Sequence, residues 1–460
     1  MKILRKPEFL FLVLSLISLV TIAQVEEIWT TISGELTRVL GQAPVAAHRL
    51  ERVESTETQD FWGIAKIMFQ IQMAQYIKGK EEQPETNIAV RDAHAKGHGC
   101  VVANFKVEND LPSWAKNGLF AQPGREYQSI IRFSNGTQQV GVADREKDAR
   151  GMAIKILNAD QLNLIGTGKS NDFLLINRDR FFIRNVNDYL AFQMSIAKTK
   201  GIQAFVLQRA IHEALGEDLK SELVAQIMQL VGELQGGSQE AAAKITALIT
   251  PQGAQKLLQK LGDVKQGKAP LELTIISALG AEIESSLGES YFSMAAYLLK
   301  AANGAEDTAV KYITKPIECE TSSTPATNIS HEDDNFLRTD LVTRAAAGDH
   351  CFAFYLQPVP DVDLESKRTL VEDSRLRFAT EPVRVATIRI PQQDIASDNK
   401  AKYCENMSFN PWQAQAEHQP LGSMNRARRF AVTASSIRRH LLNGVERKEP
   451  LSTLEYEAIR

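Results

Sequence analysis

Residues 127–157 read YQSIIRFSNGTQQVGVADREKDARGMAIKIL. Two apolar runs, YQSIIRFS (127–134) and GMAIKIL (151–157), flank a polar stretch that holds Asn-Gly, Gly and Asp. Short runs of this kind, bounded by turn residues, read as strands, and Asn-Gly is a pair at which hairpins reverse. The same pattern stands on both sides, at GCVVANFKVEND (99–110) and NDFLLIN (171–177). It resumes at ESYFSMAAYL (289–298), AVKYITKPI (309–317), HCFAFYLQPV (350–359) and VRVATIRIP (383–391). The strands do not alternate with helices as a dinucleotide-binding sheet requires. One antiparallel sheet or barrel with helical additions is expected, an α+β design.

The helical additions announce themselves by period. Residues 26–85 look helical and amphipathic, as in FWGIAKIMFQIQMAQYIKG, ending near Gly79. From about 185 to 287 apolar residues recur at three and four, as in AFVLQRAIHEALGEDLKSELVAQIMQLVGEL, with GG and KQGK as boundaries. This block reads as a helical insertion between strands, serving packing, a lid or a partner surface. The basic segment NRARRFAVTASSIRRHLLN (425–443) is a further helix. At the N-terminus Lys2, Arg5 and Lys6 precede FLFLVLSLISLVTIA (9–23), which carries no charge. A signal peptide or a membrane anchor is expected at 1–25, ahead of a single domain at 26–460. The expected location is accordingly exported, periplasmic or extracellular, or membrane-anchored.

Composition excludes some partners. A net charge of −3 offers no electrostatic basis for binding nucleic acid or an anionic membrane surface. Cys100, Cys319, Cys351 and Cys404 form no CxxC pair. They leave room for one or two disulfides but not for a zinc site or a dense framework.

Two short motifs invite chemistry. GTGKS (166–170) has the end of a phosphate loop, but Asn163 stands where that loop needs glycine, and a strand follows it. It reads as a polar turn. RDAHAKGHG (91–99) places His94 and His98 four apart, with Gly97 and Gly99 opposing a helix and no HExxH glutamate. On a strand His94, His98 and Cys100 share a face, so a metal cluster, a packed core histidine and a buried acid/base all remain open for His94.

Taken in order, R-x-x-H-A-K-G (91–97), IRFSN (131–135), D-x-x-x-D-x-R-G-M-A-I-K (144–155), NDF (171–173), FFIRN (181–185), YFS…Y…VKY (291–312) and YCENMSFNPW…EHQPLGSMNRARR (403–429) resemble the heme catalase superfamily. The last of these resembles its bacterial catalase-related branch. The resemblance spans about 90–430 and implies an antiparallel β-barrel core, a ferric heme b and a peroxide substrate. His94 matches the distal histidine, which takes a proton from peroxide and returns it to the leaving oxygen. Asn171 matches the distal asparagine. Arg91, Arg132 and Arg439 match the arginines around the heme propionates, with Ser134 after Arg132. Arg428 matches the arginine that holds the axial tyrosine as phenolate.

The axial tyrosine itself should lie four residues after Arg428, where Val432 stands. Valine cannot ligate iron, so the metal ligand is unassigned. Three readings follow: heme bound without its usual ligand, a degenerate non-catalytic relative, or ligation restored by another residue. Relatives of this type act on organic or fatty-acid hydroperoxides as well as hydrogen peroxide, and the small Ala93 beside His94 suits a bulky peroxide. Membrane association through the N-terminus and a homo-oligomer are further expectations of the same reading.

Overall fold

A computed structural model describes residues 19–42, 45–54, 57–82, 88–197, 201–216, 219–235, 238–266, 271–272, 275, 283–301, 306–319 and 330–460. Nine strands occur among them: β1 Gly97–Val107, β2 Glu126–Asn135, β3 Arg150–Leu157, β4 Ser170–Ile176, β5 Tyr291–Ser293, β6 Tyr297–Leu299, β7 Thr308–Ile317, β8 His350–Pro358 and β9 Val383–Ile390. They pair antiparallel in the order β5-β4-β3-β2-β1-β9-β8-β7-β6. A further pairing of Tyr291 with Thr314 joins β5 to β7 and closes an eight-stranded barrel, leaving β6 as an addition to β7. Closure removes the free edges that an open sheet exposes to aggregation.

The barrel interior is aromatic. Phe173 packs 4.7 Å from Tyr312 and 4.9 Å from Phe354, centroid to centroid, with Phe105 and Phe120 alongside. Such offset and edge-on pairs add to the apolar area they bury. The first half of β1 is buried on both faces, whereas Asn104 and Lys106 near its end face solvent. The doubly covered half is the end that leads into His94.

Twelve helices surround the barrel among the described residues: α1 Leu19–Gln42, α2 Glu57–Glu82, α3 Val186–Ala197, α4 Gly201–Leu215, α5 Ser221–Gln235, α6 Gln239–Leu248, α7 Pro251–Lys265, α8 Phe336–Ala347, α9 Leu364–Glu372, α10 Asp398–Asn406, α11 Ser423–Asn443 and α12 Leu454–Glu457. Helices α3 to α7 lie between β4 and β5, and Ile211, Ile227, Val231, Ile245 and Leu257 give α4 to α7 a small core of their own. Thr250 caps α7 by accepting from the Gly253 amide, with Pro251 in the first turn where its missing N–H costs nothing. Helix α11 ends at Gly444, whose φ of 63° is the left-handed conformation that glycine adopts freely.

Two expectations need correction. The helical stretch read over 26–85, with its end near Gly79, is divided between α1, which ends at Gln42, and α2, which runs from Glu57 to Glu82. The strand read over 289–298 is split into β5 and β6, because Ser293 Oγ turns back to accept from the Tyr312 amide while donating to the Ala295 carbonyl. That local bond replaces the ladder and lets Met294 leave the sheet.

The leader or anchor expected at 1–25 falls mostly on 1–18, outside the described residues. From Leu19 onward α1 carries Val25, Trp29, Ile32 and Leu36 into a core shared with α2 and α11. Among the described residues no helix is long and apolar enough to cross a membrane.

Candidate active site

A cavity of about 520 Å³ opens between the barrel and the helices. Its barrel wall is Arg132 and Ser134 of β2, Gly151 to Ala153 of β3, and Leu174, Leu175 and Ile176 of β4. Its helical wall is Arg428, Ala431, Val432, Ser435 and Arg439 of α11, with Tyr189, Phe192 and Gln193 of α3. Positions 428, 432, 435 and 439 form one stripe of α11 because residues three and four apart share a face.

His94 lies on the barrel side in the segment that enters β1. Its φ of 56° is the left-handed region, rare for a residue with a side chain. Three contacts hold it there. Its amide donates to the Gly136 carbonyl (3.3 Å), the next amide, of Ala95, donates to Thr137 (3.0 Å), and its own carbonyl accepts from Arg132 (3.0 Å). The ring lies against Gly151, with Nδ1 3.2 Å from Ser134 Oγ. Burial pushes the imidazole down to about 4, and the positive charges of Arg132 and Arg428 push the same way. At neutral pH it is uncharged, with one ring nitrogen free to accept a proton.

Gly151 is the floor under that ring. A β-carbon there would stand 2.5 Å from His94 Nδ1 and 2.8 Å from Ser134 Oγ. Gly151→Ala should therefore displace the imidazole while the barrel still folds. If His94 is catalytic, turnover should fall by about a hundredfold with an unchanged far-ultraviolet circular dichroism spectrum. Undiminished turnover would deny the ring its position in the chemistry.

One end of the cavity is cationic. Arg132 pairs with Glu405 through two contacts (2.8 and 3.1 Å), and Arg91 pairs with the other oxygen of the same carboxylate. Arg439 donates to the Met407 carbonyl (3.2 Å), and its Nε is buried with no hydrogen-bond partner among the described residues. Burial would raise the Glu405 carboxyl, but Arg132 and Arg91 outweigh it and hold it low. Burial and mutual repulsion lower Arg91, and burial lowers Arg439 to about 10. The apolar walls and this end together could hold a flat apolar group bearing carboxylates.

Six positions singled out in the sequence thus meet at one cavity, His94, Arg91, Arg132, Ser134, Arg428 and Arg439, and Val432 stands among them. Asn171 does not join them. It sits near the start of β4 opposite Ile156, and its Oδ1 accepts from the Gln415 amide (3.0 Å). Leu174, the first cavity residue of that strand, is three residues away, about 10 Å at the rise of a strand. The β4 side chains that reach the cavity are all apolar.

The metal reading of His94, His98 and Cys100 is also corrected. His98 bonds Ser286 (2.9 Å) and Asn135 (2.8 Å), and Cys100 is disulfide-bonded to Cys404. Cys319 pairs with Cys351. No metal-binding group of three or more His, Cys, Asp or Glu occurs among the described residues. GTGKS is a turn into β4, with the Thr167 and Ser170 hydroxyls bonded to Asn163.

Sequence reasoning missed Glu405, Gly151 and Tyr189. Glu405 follows Cys404, whose disulfide to β1 anchors it near the arginines, but nothing local to YCENM signals a partner some 300 residues earlier.

The catalase family model matches residues 64–207. Catalase A of Pseudomonas putida is 33% identical over 100 residues, which are 22% of this chain and 19% of that protein. A catalase of Staphylococcus epidermidis is 29% identical over 112 residues, 24% of this chain and 20% of that one. These matches span about a fifth of the curated relatives. The crystal structure of a fungal catalase superposes with a TM-score of 0.51 at 16% identity, over 79% of this chain and 62% of that chain, and so shares the fold. The matched stretch carries His94, Arg132, Ser134 and Gly151 together with α3, so the sequence that builds the barrel wall of the cavity is the sequence this chain shares with the catalase family.

Proposed function

We propose that the chain is a heme protein that decomposes or reduces peroxides, organic hydroperoxides included. The observation that carries this reading is a neutral imidazole, His94, at a largely apolar cavity that is also lined by arginines. The cavity's charge supports the fit to heme. Arg91, Arg132 and Arg439 gather around the Glu405 carboxylate, and such a cluster of guanidiniums suits the propionates of a heme. The partnerless Nε of Arg439 points to the same demand for an anion. Arg91, Arg132 and Arg439 would hold the propionates, and the apolar side chains of β3 and β4 would pack on the ring.

Heme, when bound, supplies the iron at which the O–O bond is cleaved. The chain's own residues manage the proton. With Nδ1–H directed to Ser134, the other nitrogen of His94 accepts the peroxide proton and returns it to the departing oxygen. Arg132 holds the backbone of His94 by its carbonyl, so the same guanidinium serves both the arginine end and the base. Ala93, Leu174, Leu175 and Ile176 leave an apolar approach, which favours a peroxide with a hydrocarbon substituent. The two disulfides support an exported location, since such bonds persist in oxidising compartments.

A second reading has its own observation. Val432 stands in the helical wall where a phenolate would be expected from the family resemblance, and a relative without heme needs no ligand there. The full chain expressed with ample heme separates the two. A stoichiometric Soret band with turnover of an alkyl hydroperoxide supports the enzyme. A folded protein without a Soret band establishes the non-catalytic reading.

A further inference from the structure

We propose that the Met294 thioether is an oxygen-acceptor site, oxidised to its sulfoxide by organic hydroperoxides that enter the cavity. This rests on the peroxide reading above only in that the cavity admits a hydroperoxide, and it needs no heme.

Four of the chain's nine methionines, Met68, Met152, Met294 and Met424, line this one cavity. Three of them are engaged or shielded. The Met68 sulfur accepts from the Tyr189 hydroxyl (3.6 Å) and the Met152 sulfur from the Thr314 hydroxyl (3.5 Å). Met424 is buried among Phe182, Ile183 and Phe205. Met294 differs from these. It is half-buried and stands between β5 and β6. Ser293, just before it, pairs with Leu175 of β4, which sets Met294 next to Leu174, Leu175 and Ile176. Those three side chains form the apolar approach that suits a hydrocarbon substituent.

A thioether is soft and polarisable, and its sulfoxide is the ordinary product of its oxidation. The sulfur lone pair attacks the terminal oxygen of the hydroperoxide. The O–O bond breaks as the S–O bond forms, and the hydroperoxide proton passes to the departing alkoxide, which leaves as the alcohol. Sulfur loses the two electrons that the peroxide gains, so no further reactant is required. The apolar walls take the hydrocarbon part out of water and bring its O–OH group to the sulfur. The sulfoxide is polar and is returned to the thioether by sulfoxide reductases, so the step reversibly changes an apolar wall into a polar one.

The test treats the full chain, prepared without added heme, with cumene hydroperoxide at neutral pH and follows each methionine by peptide mass spectrometry. Met194 and Met228 serve as internal references, since both are half-buried and neither lines the cavity. Met294 should gain one oxygen about tenfold faster than either, a small share of what holding two reactants together can give. Excess cumyl alcohol, the product, should slow Met294 and leave the references unchanged. Met294→Leu keeps an apolar side chain of similar size, so it should fold normally yet lose the fast phase of hydroperoxide consumption. Equal rates at the three methionines, or no protection by the alcohol, would overturn the proposal. Either result leaves the heme reading standing, because the Soret band tests that separately.

Discussion

His94→Ala is expected to lower peroxide turnover by about 10²- to 10⁴-fold, the usual contribution of a positioned proton-transfer group. The Soret band should be retained, because the arginines and the apolar walls are untouched. The pH profile of the wild type gives an independent check. Burial, with Arg132 and Arg428 adding to it, puts the imidazole at about 4 instead of 6.5. The accepting form is the neutral one, present above that value. Turnover should therefore hold from neutral pH down to about 5 and fall only as the pH passes through about 4. A decline centred near 6.5 would mean that the titrating group is a solvated histidine elsewhere. Full turnover by the alanine variant would end the assignment of His94 as the proton carrier.

Lys155→Met should be the most damaging single change to stability outside the cavity. Lys155 Nζ lies 2.8 Å from Asp172 and 2.6 Å from Glu449, and the Lys155 and Asp172 side chains have no solvent exposure. Burial alone would drive the ammonium towards its neutral form, but the two carboxylates outweigh it and hold it charged. Removing this cation leaves Asp172 and Glu449 facing each other with nothing between them. Breaking a buried pair in this way costs about 3–5 kcal/mol. Glu449 belongs to the segment that follows α11, so that segment should loosen first. A lower midpoint in chemical denaturation at pH 7, with faster proteolysis near 449, would show it. The sign of the pH dependence is set. Protons taken up by the two carboxylates relieve their repulsion, so the difference between variant and wild type should shrink towards pH 5. A loss under about 1 kcal/mol at pH 7 would mean that the cluster is far better hydrated than its burial implies.

The strands were legible because their signal is local. YQSIIRFS, GMAIKIL and NDFLLIN carry their own turns and apolar runs, and β2, β3 and β4 follow them within a residue or so. Arg132 and Ser134 in the barrel wall of the cavity were legible for the same reason, since they ride on one strand whose register the pattern constrains. The vacancy at Val432 was equally plain, because Arg428 and Arg439 mark their positions on one helical stripe. What a strand does not reveal is which end of it meets a cavity. Asn171 and Ile176 stand on the same strand, β4, and only the barrel's closure over α11 and α3 decides that the latter is at the site.

The amino-acid sequence by itself determined the α+β barrel, the resemblance to catalases, the histidine and arginines of one cavity, and the absence of a tyrosine at position 432. The tertiary structure alone decided that Glu405 neutralises part of the arginine cluster, that Cys100 joins Cys404, and that a phenol from α3 stands in the wall where α11 offers valine. The division has a physical cause. Secondary structure follows from periodicities a few residues long, whereas these contacts join segments up to some 300 residues apart, and such pairs are set by how packed elements fill space together, which no local pattern encodes.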